Sequence, residues 1–136
     1  MKMEILKLLD LRPNNWYINQ EKLERVCAAW DNGEQEELPP VLVSEIDGEL
    51  SLIDGHSRAF AAFERGETYI NADVCALEKI EGSSALYRHI HCEGPKQGIR
   101  TIADLRNRIL PPEEHRHLWT GYCDNWLAKN ENTSKS

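Results

Sequence analysis

The stretch Val41-Leu-Val-Ser-Glu-Ile46, Asp47-Gly48, Glu49-Leu-Ser-Leu-Ile53, Asp54-Gly55-His56-Ser57-Arg58 decides the fold class. Its first six residues are β-branched and apolar enough for a strand. Asp47-Gly48 is a hairpin dipeptide, because a type I′ turn needs positive φ at both central residues. Residues 49–53 return as the second strand, and the chain then passes directly into a helix expected to reach about Arg65. Ala59, Phe60, Ala62 and Phe63 form the apolar side of that helix, and Gly66 stands where a C′ glycine belongs.

On either side of this unit the pattern alternates between strand and helix. Residues 3–9 read as a strand, followed by a turn at Asp10–Asn15. Asn19 is the expected N-cap of a helix whose stripe is Leu23, Val26, Cys27 and Trp30, with Gly33 as its stop. Residues 70–77 alternate as another strand. Three helices follow, one capped by Ser83 or Ser84 and ending near Gly94-Pro95, one from Thr101 with a capping-box Asp104, and one from Pro111-Pro112. The sequence therefore predicts an α+β domain over 1–80, a small mixed sheet with helices. A helical C-terminal extension over 81–130 packs on it, and a flexible polar tail occupies 131–136.

Composition narrows the function. The chain has 136 residues, the size of one ordinary domain. Its 16 Lys and Arg against 23 Asp and Glu give a net charge of −7, which argues against a general nucleic-acid coat. Apolar runs fall well short of the roughly 20 residues that span a bilayer. Cys27, Cys75, Cys92 and Cys123 show no metal or disulfide spacing, so a cytoplasmic location with free thiols is expected. His89-x-His91 and His115-x-His117 would diverge on helices, and neither a His-Glu-x-x-His motif nor a P-loop occurs. No transition-metal site is expected.

The turn at 54–58 has a chemical use. The first N–H groups of a helix lack internal partners and sit at the positive end of the dipole, which together favour an anion such as phosphate. Gly55 permits close approach of the backbone, Arg58 offers a two-pronged donor, and His56 and Ser57 add hydrogen-bonding groups. Asp54 has three open roles: helix cap, metal ligand, or acceptor of a substrate proton. A purely local reading stands beside these, in which Asp54 caps, Gly55 turns, and the next three residues are ordinary first-turn groups.

The hairpin plus Asp54-Gly55-His56-Ser57-Arg58, with Pro39-Pro40-Val41-Leu42-Val43 as strand entry and Ala59 and Ala62 in the helix, resembles the ParB/sulfiredoxin superfamily from about Ile5 to Leu77. The resemblance implies a nucleotide-binding fold in which a Gly-x-x-Arg turn holds phosphates. The sulfiredoxin turn reads Gly-Cys-His-Arg; here His56 replaces the cysteine, so sulfiredoxin chemistry is not implied. A phosphate-binding lysine of the sulfiredoxin first helix would correspond to Lys22. The superfamily's free-serine kinases share Asp-Gly-His-x-Arg, but their glutamate after the first strand has no match in Leu11–Trp16. ParB partition proteins bind and hydrolyse CTP and read DNA through a helix-turn-helix, which the helices from Thr101 and Pro112 would have to supply.

The leading expectation is a domain that binds a nucleotide or phosphorylated small molecule, with ATP, ADP or CTP and Mg²⁺ as candidate ligands. Gly55, His56, Ser57 and Arg58 would contact phosphate, with Lys22 and Arg12 in support. As an enzyme it would be a phosphotransferase or NTP hydrolase, with Asp54 and His56 as catalytic candidates. The alternative is a non-catalytic regulatory or DNA-associated interaction module.

Overall fold

The computed structural model describes residues 2–134. Five strands, β1 (Lys2–Lys7), β2 (Leu11–Pro13), β4 (Val41–Ile46), β5 (Glu49–Asp54) and β6 (Tyr69–Val74), form a mixed sheet. Their order across it is β1-β6-β4-β5-β2. Two further short strands, β3 (Ile18–Asn19) and β7 (Ile109–Leu110), pair with each other apart from it. The hairpin β4–β5 forms as expected, with Asp47 at φ 52° and Gly48 at φ 80° in its turn. Strand β4 runs parallel to β6 on its other side, and β1 closes that edge antiparallel to β6.

Alternation along the central strands buries both faces of the sheet. Val41, Val43 and Leu52 enter the main core, whereas Ile46 and Ile53 enter a smaller cluster with Leu77 on the opposite side. Helix α1 (Gln20–Asp31) and helix α2 (His56–Glu64) pack against each other beside the main core. Asn19 caps α1, its side chain accepting from the N–H groups of Glu21 and Lys22.

Strands β2, β3 and β7 depart from the sequence reading. The segment read as a turn contains β2, which pairs parallel to β5 with Leu11 opposite Leu50 and Pro13 opposite Leu52. A proline is tolerated there because β2 is a sheet edge. The helix expected from Thr101 is a single 3₁₀ turn over Ile102–Leu105. Ile102 and Leu105 are fully buried, and the chain then extends into β7, which runs parallel to β3. The following prolines disfavour helix in the residue before each of them. No helix-turn-helix is therefore formed between Thr101 and Pro112.

Helix α3 spans Ser84–Glu93 under a Ser83 cap. Helix α4 (Pro112–His115) runs through a π-helical turn, Arg116–Thr120, into α5 (Gly121–Ser134). The helical conformation thus continues into the 131–136 segment as far as Ser134, and Lys135 and Ser136 lie outside the described residues.

The extension shares the main core with the sheet, through Leu86, Ile90, Ile99, Ile102, Leu105 and Trp119. Trp119 lies 5.2 Å from Trp16 between ring centroids and stacks on Tyr122 at 5.9 Å. His89 stacks on Trp126 at 4.9 Å and shares a 2.6 Å hydrogen bond with the Tyr122 hydroxyl. Trp16 is consequently a core residue, 5% exposed, with no face open to a nucleotide base. Among the described residues, no helix is long and apolar enough to cross a membrane.

Candidate functional site

The β5–α2 junction turns at Gly55, whose φ of +101° is left-handed. A Cβ here would lie 2.6 Å from Val41 Cγ1 and 2.7 Å from Arg58 Nη2, so the position requires glycine for space as well as for conformation. Gly55 is itself the N-cap of α2, and no side chain caps the helix. Its first N–H groups have no intrahelical partner.

A cleft of about 350 Å³ opens over this helix end. Asp54, Gly55, His56, Ser57 and Arg58 line one side, and Lys22 and Arg25 of α1 line another. His115 of α4 lines it from the C-terminal extension. Arg58 is mostly covered, 18% exposed along its side chain, and its Nη2 lies 3.5 Å from the Asp54 carboxylate, which is 77% exposed. On its far side Arg58 also borders a second hollow of about 500 Å³, between Trp30, Pro39, Pro40 and Tyr69.

His56 is buried, and its Nε2 accepts the backbone N–H of Asn14 at 3.0 Å. Burial holds its pKa down to about 4, with Arg58 adding to the depression and Asp54 and the Leu52 carbonyl opposing it. The ring is therefore neutral at neutral pH and committed to the protein. Its place is to tie the start of α2 to the loop after β2. Asn14 completes the tie, donating from its amide nitrogen to Ser51 Oγ at 3.0 Å and to the Tyr87 carbonyl at 2.9 Å.

No protein-family model and no curated protein matches the sequence. Protein Atu1540 from Agrobacterium tumefaciens, a protein of the ParB/sulfiredoxin-like fold, superposes with a TM-score of 0.52 at 19% identity. The alignment covers 82% of this chain but 64% of Atu1540, so the chain spans less than two thirds of that protein. The chain has the ParB/sulfiredoxin-like fold. Sulfiredoxin from Arabidopsis thaliana aligns over 66% of this chain and 97% of its own, at 23% identity and a TM-score of 0.46.

Within this ParB/sulfiredoxin-like frame, Lys22, Asp54, Gly55, His56, Ser57 and Arg58 border one cleft. Arg12 does not join them. Its Nη1 meets both carboxylate oxygens of Glu49 at 3.0 Å, and its Nη2 donates to the His91 carbonyl. Strand β2 directs it to the β5–α3 side, where it holds the Glu49 carboxyl below the usual range. As a phosphate ligand Arg12 is thus corrected to a structural tie. His56 is likewise corrected: with its Nε2 occupied and its pKa about 4, it cannot exchange protons near neutrality.

Arg25 and His115 also border the cleft, and neither is among the ligands expected from the sequence. Arg25 stands three residues after Lys22 and so shares a helix face with it, a signal available from spacing. His115 carries no such signal, because only the β3–β7 pairing brings it to the cleft. Burial and the nearby Lys22 ammonium lower its pKa, while a hydrogen bond with the Tyr17 backbone opposes the shift.

Proposed function

We propose that the cleft at the start of α2 binds the phosphates of a nucleotide, with ATP, ADP or CTP as the candidates, or of a phosphorylated small molecule. The observation that carries this reading is the convergence of Lys22, Arg25, Arg58 and His115 on the uncapped end of α2. Three side-chain cations and free helix N–H groups together favour a multiply charged anion, although the chain as a whole is acidic. A volume of about 350 Å³ suits a phosphate chain rather than a macromolecular surface. Ile102–Leu105 is a single 3₁₀ turn and not the first helix of a helix-turn-helix, which favours this reading over a DNA-associated module.

Among the described residues, no three His, Cys, Asp or Glu side chains are grouped to hold a metal ion. A Mg²⁺ that arrives with a nucleotide needs only one or two protein carboxylates, and Asp54 is the acid bordering the cleft. Asp54 therefore fits as the group that would hold Mg²⁺, whose charge would offset that of the phosphates. If it holds no ion, Asp54 is instead the candidate proton acceptor for phosphotransfer or NTP hydrolysis, since His56 is committed to Asn14. A reducing, cytoplasmic setting belongs to the same proposal, and the four free cysteines accord with it.

The test is a thermal-shift series with ATP, ADP, CTP, GTP and pyrophosphate, each with and without Mg²⁺. A ligand at a hundredfold excess over Kd stabilises by about 2.7 kcal/mol, which moves the midpoint by several degrees. The shift should vanish in a Lys22→Ala, Arg25→Ala double variant, since both residues are exposed and their loss leaves the fold intact. No shift with any of these ligands refutes the reading. Release of inorganic phosphate or labelling of an acceptor, lost in Asp54→Asn, separates turnover from binding alone.

A further inference from the structure

The two-stranded sheet brings a distant part of the chain to the mouth of the cleft. Ile109 lies opposite Ile18 and Leu110 opposite Asn19, and the Ile18 N–H donates to the Arg108 carbonyl at 3.0 Å. Pro111 and Pro112 then begin α4, where a missing N–H in the first turn costs nothing. The His115 N–H closes that turn on the Pro111 carbonyl at 2.9 Å. The imidazole is thereby brought, half-buried, to the cleft that Tyr17 and Lys22 also line. The ring borders the cleft together with Lys22, and the Tyr17 backbone favours its protonation where Lys22 opposes it.

We propose that His115 is a proton-linked ligand of the anion: it holds a tetrahedral dianion in the cleft as imidazolium, so that the anion's entry draws one proton from solvent onto the ring. The inference rests on the phosphate reading of the cleft and specifies how that site discriminates. In the empty cleft, burial and the Lys22 charge favour the neutral ring. A dianion seated beside both groups reverses the sign of that field and favours the charged ring. Lys22 and Arg25 face the site from α1, and Asp54 and Arg58 from the β5–α2 turn. On its own helical stretch His115 is flanked by Glu113, Glu114, Arg116 and His117, all exposed to solvent. His56, the other imidazole at the cleft, is committed to Asn14. The C-terminal extension is then part of the binding site, and it makes affinity rise as the solution is acidified.

Sulfate is the probe, because it is a tetrahedral dianion that does not itself titrate near neutrality. Its binding to the full chain is measured by calorimetry from about pH 8.5 to about pH 5.5, the window around the ordinary histidine value. Each pH is run in two buffers of different ionisation enthalpy. Expected is uptake of up to one proton, with affinity rising by up to about tenfold per pH unit. In His115→Gln sulfate should still bind, with no uptake from the ring and a flattened pH profile, while His117→Gln behaves as the parent chain. The ring resonance of His115 in the unsubstituted protein, followed by NMR with and without sulfate, gives the same answer should His115→Gln fold poorly. Sulfate binding without proton uptake, or an unchanged pH slope in His115→Gln, overturns the proposal and leaves the phosphate site standing. Failure of the unsubstituted chain to bind sulfate at any pH overturns both.

Discussion

Replacing His56 by glutamine should flatten the acid side of the protein's stability profile. The ring titrates at about 4 in the fold against 6.5 for a free side chain. The native state therefore disfavours the proton, while the unfolded chain binds it. A base whose pKa is depressed contributes stability that is complete above the unfolded value and is lost as the pH falls towards the folded one. The window is thus between 6.5 and about 4. Its depth is about 2.5 pH units at 1.36 kcal/mol each, or about 3 kcal/mol. His91 and His115, also depressed by burial, lose stability in the same direction. The informative quantity is therefore the difference between parent and variant. The glutamine carbonyl in the variant can still accept the Asn14 N–H, and any packing cost of the substitution is independent of pH. Urea unfolding at several pH values should show the parent's advantage over His56→Gln shrinking by about 3 kcal/mol between pH 7.5 and pH 4. An advantage constant to within about 0.5 kcal/mol across that range would refute the assignment of His56 as a buried neutral tie.

Gly55→Ala should cost about 2 to 5 kcal/mol, combining a left-handed φ with a Cβ driven against Val41, which is fully buried. An unchanged urea midpoint would contradict the tightness of this turn. Trp119→Ala should cost about 3 to 5 kcal/mol, because the ring joins the extension to Trp16 and Tyr17. The unfolding transition should remain single, as the helices and sheet share one core; two separated transitions would show the extension folding as its own unit.

The hairpin and the helix after it were legible because their signals are local. Asp47-Gly48 needs positive φ at both residues, and the alternation of Val41, Val43 and Leu52 with Ile46 and Ile53 reports two buried faces. The Asn19 and Ser83 caps are equally local. What was not legible depends on pairing at long range. Leu11–Pro13 is too short to show a period, and only β5 makes it a strand. Ile102, Leu105 and Ile109 fit a helical stripe, but the burial of the first two and the pairing of the third with Ile18 win over local propensity. The same pairing hides His115 from any reading by spacing. The turn chemistry was half legible: Arg58 and the helix end face the cleft, while His56 turns inward because Asn14 offers its N–H from just beyond β2, a strand made only by its pairing with β5.

Asp54 is where the two readings of the cleft, bare anion site and metal-assisted nucleotide site, make opposite predictions. Its carboxylate is exposed and lies 3.5 Å from Arg58 Nη2, so it both repels a phosphate and competes for the guanidinium. With its carboxylate open to solvent the pair is worth about 1 kcal/mol, so Asp54→Asn should tighten metal-free nucleotide binding by about two- to fivefold. With Mg²⁺ the sign reverses. The parent chain should gain affinity, since Asp54 would hold the ion and its charge would offset that of the phosphates, while Asp54→Asn should gain little, because a neutral amide is a poorer ligand for a hard cation. Titrating ADP into both proteins with and without Mg²⁺ completes the cycle, and its coupling term isolates the carboxylate–metal contact from the loss of repulsion. If Asp54→Asn retains the full Mg²⁺ effect, Asp54 holds no ion and the site is an anion site alone. If it weakens binding in the absence of metal, the carboxylate accepts a hydrogen bond from the ligand, and the repulsion argued from its distance to Arg58 is wrong.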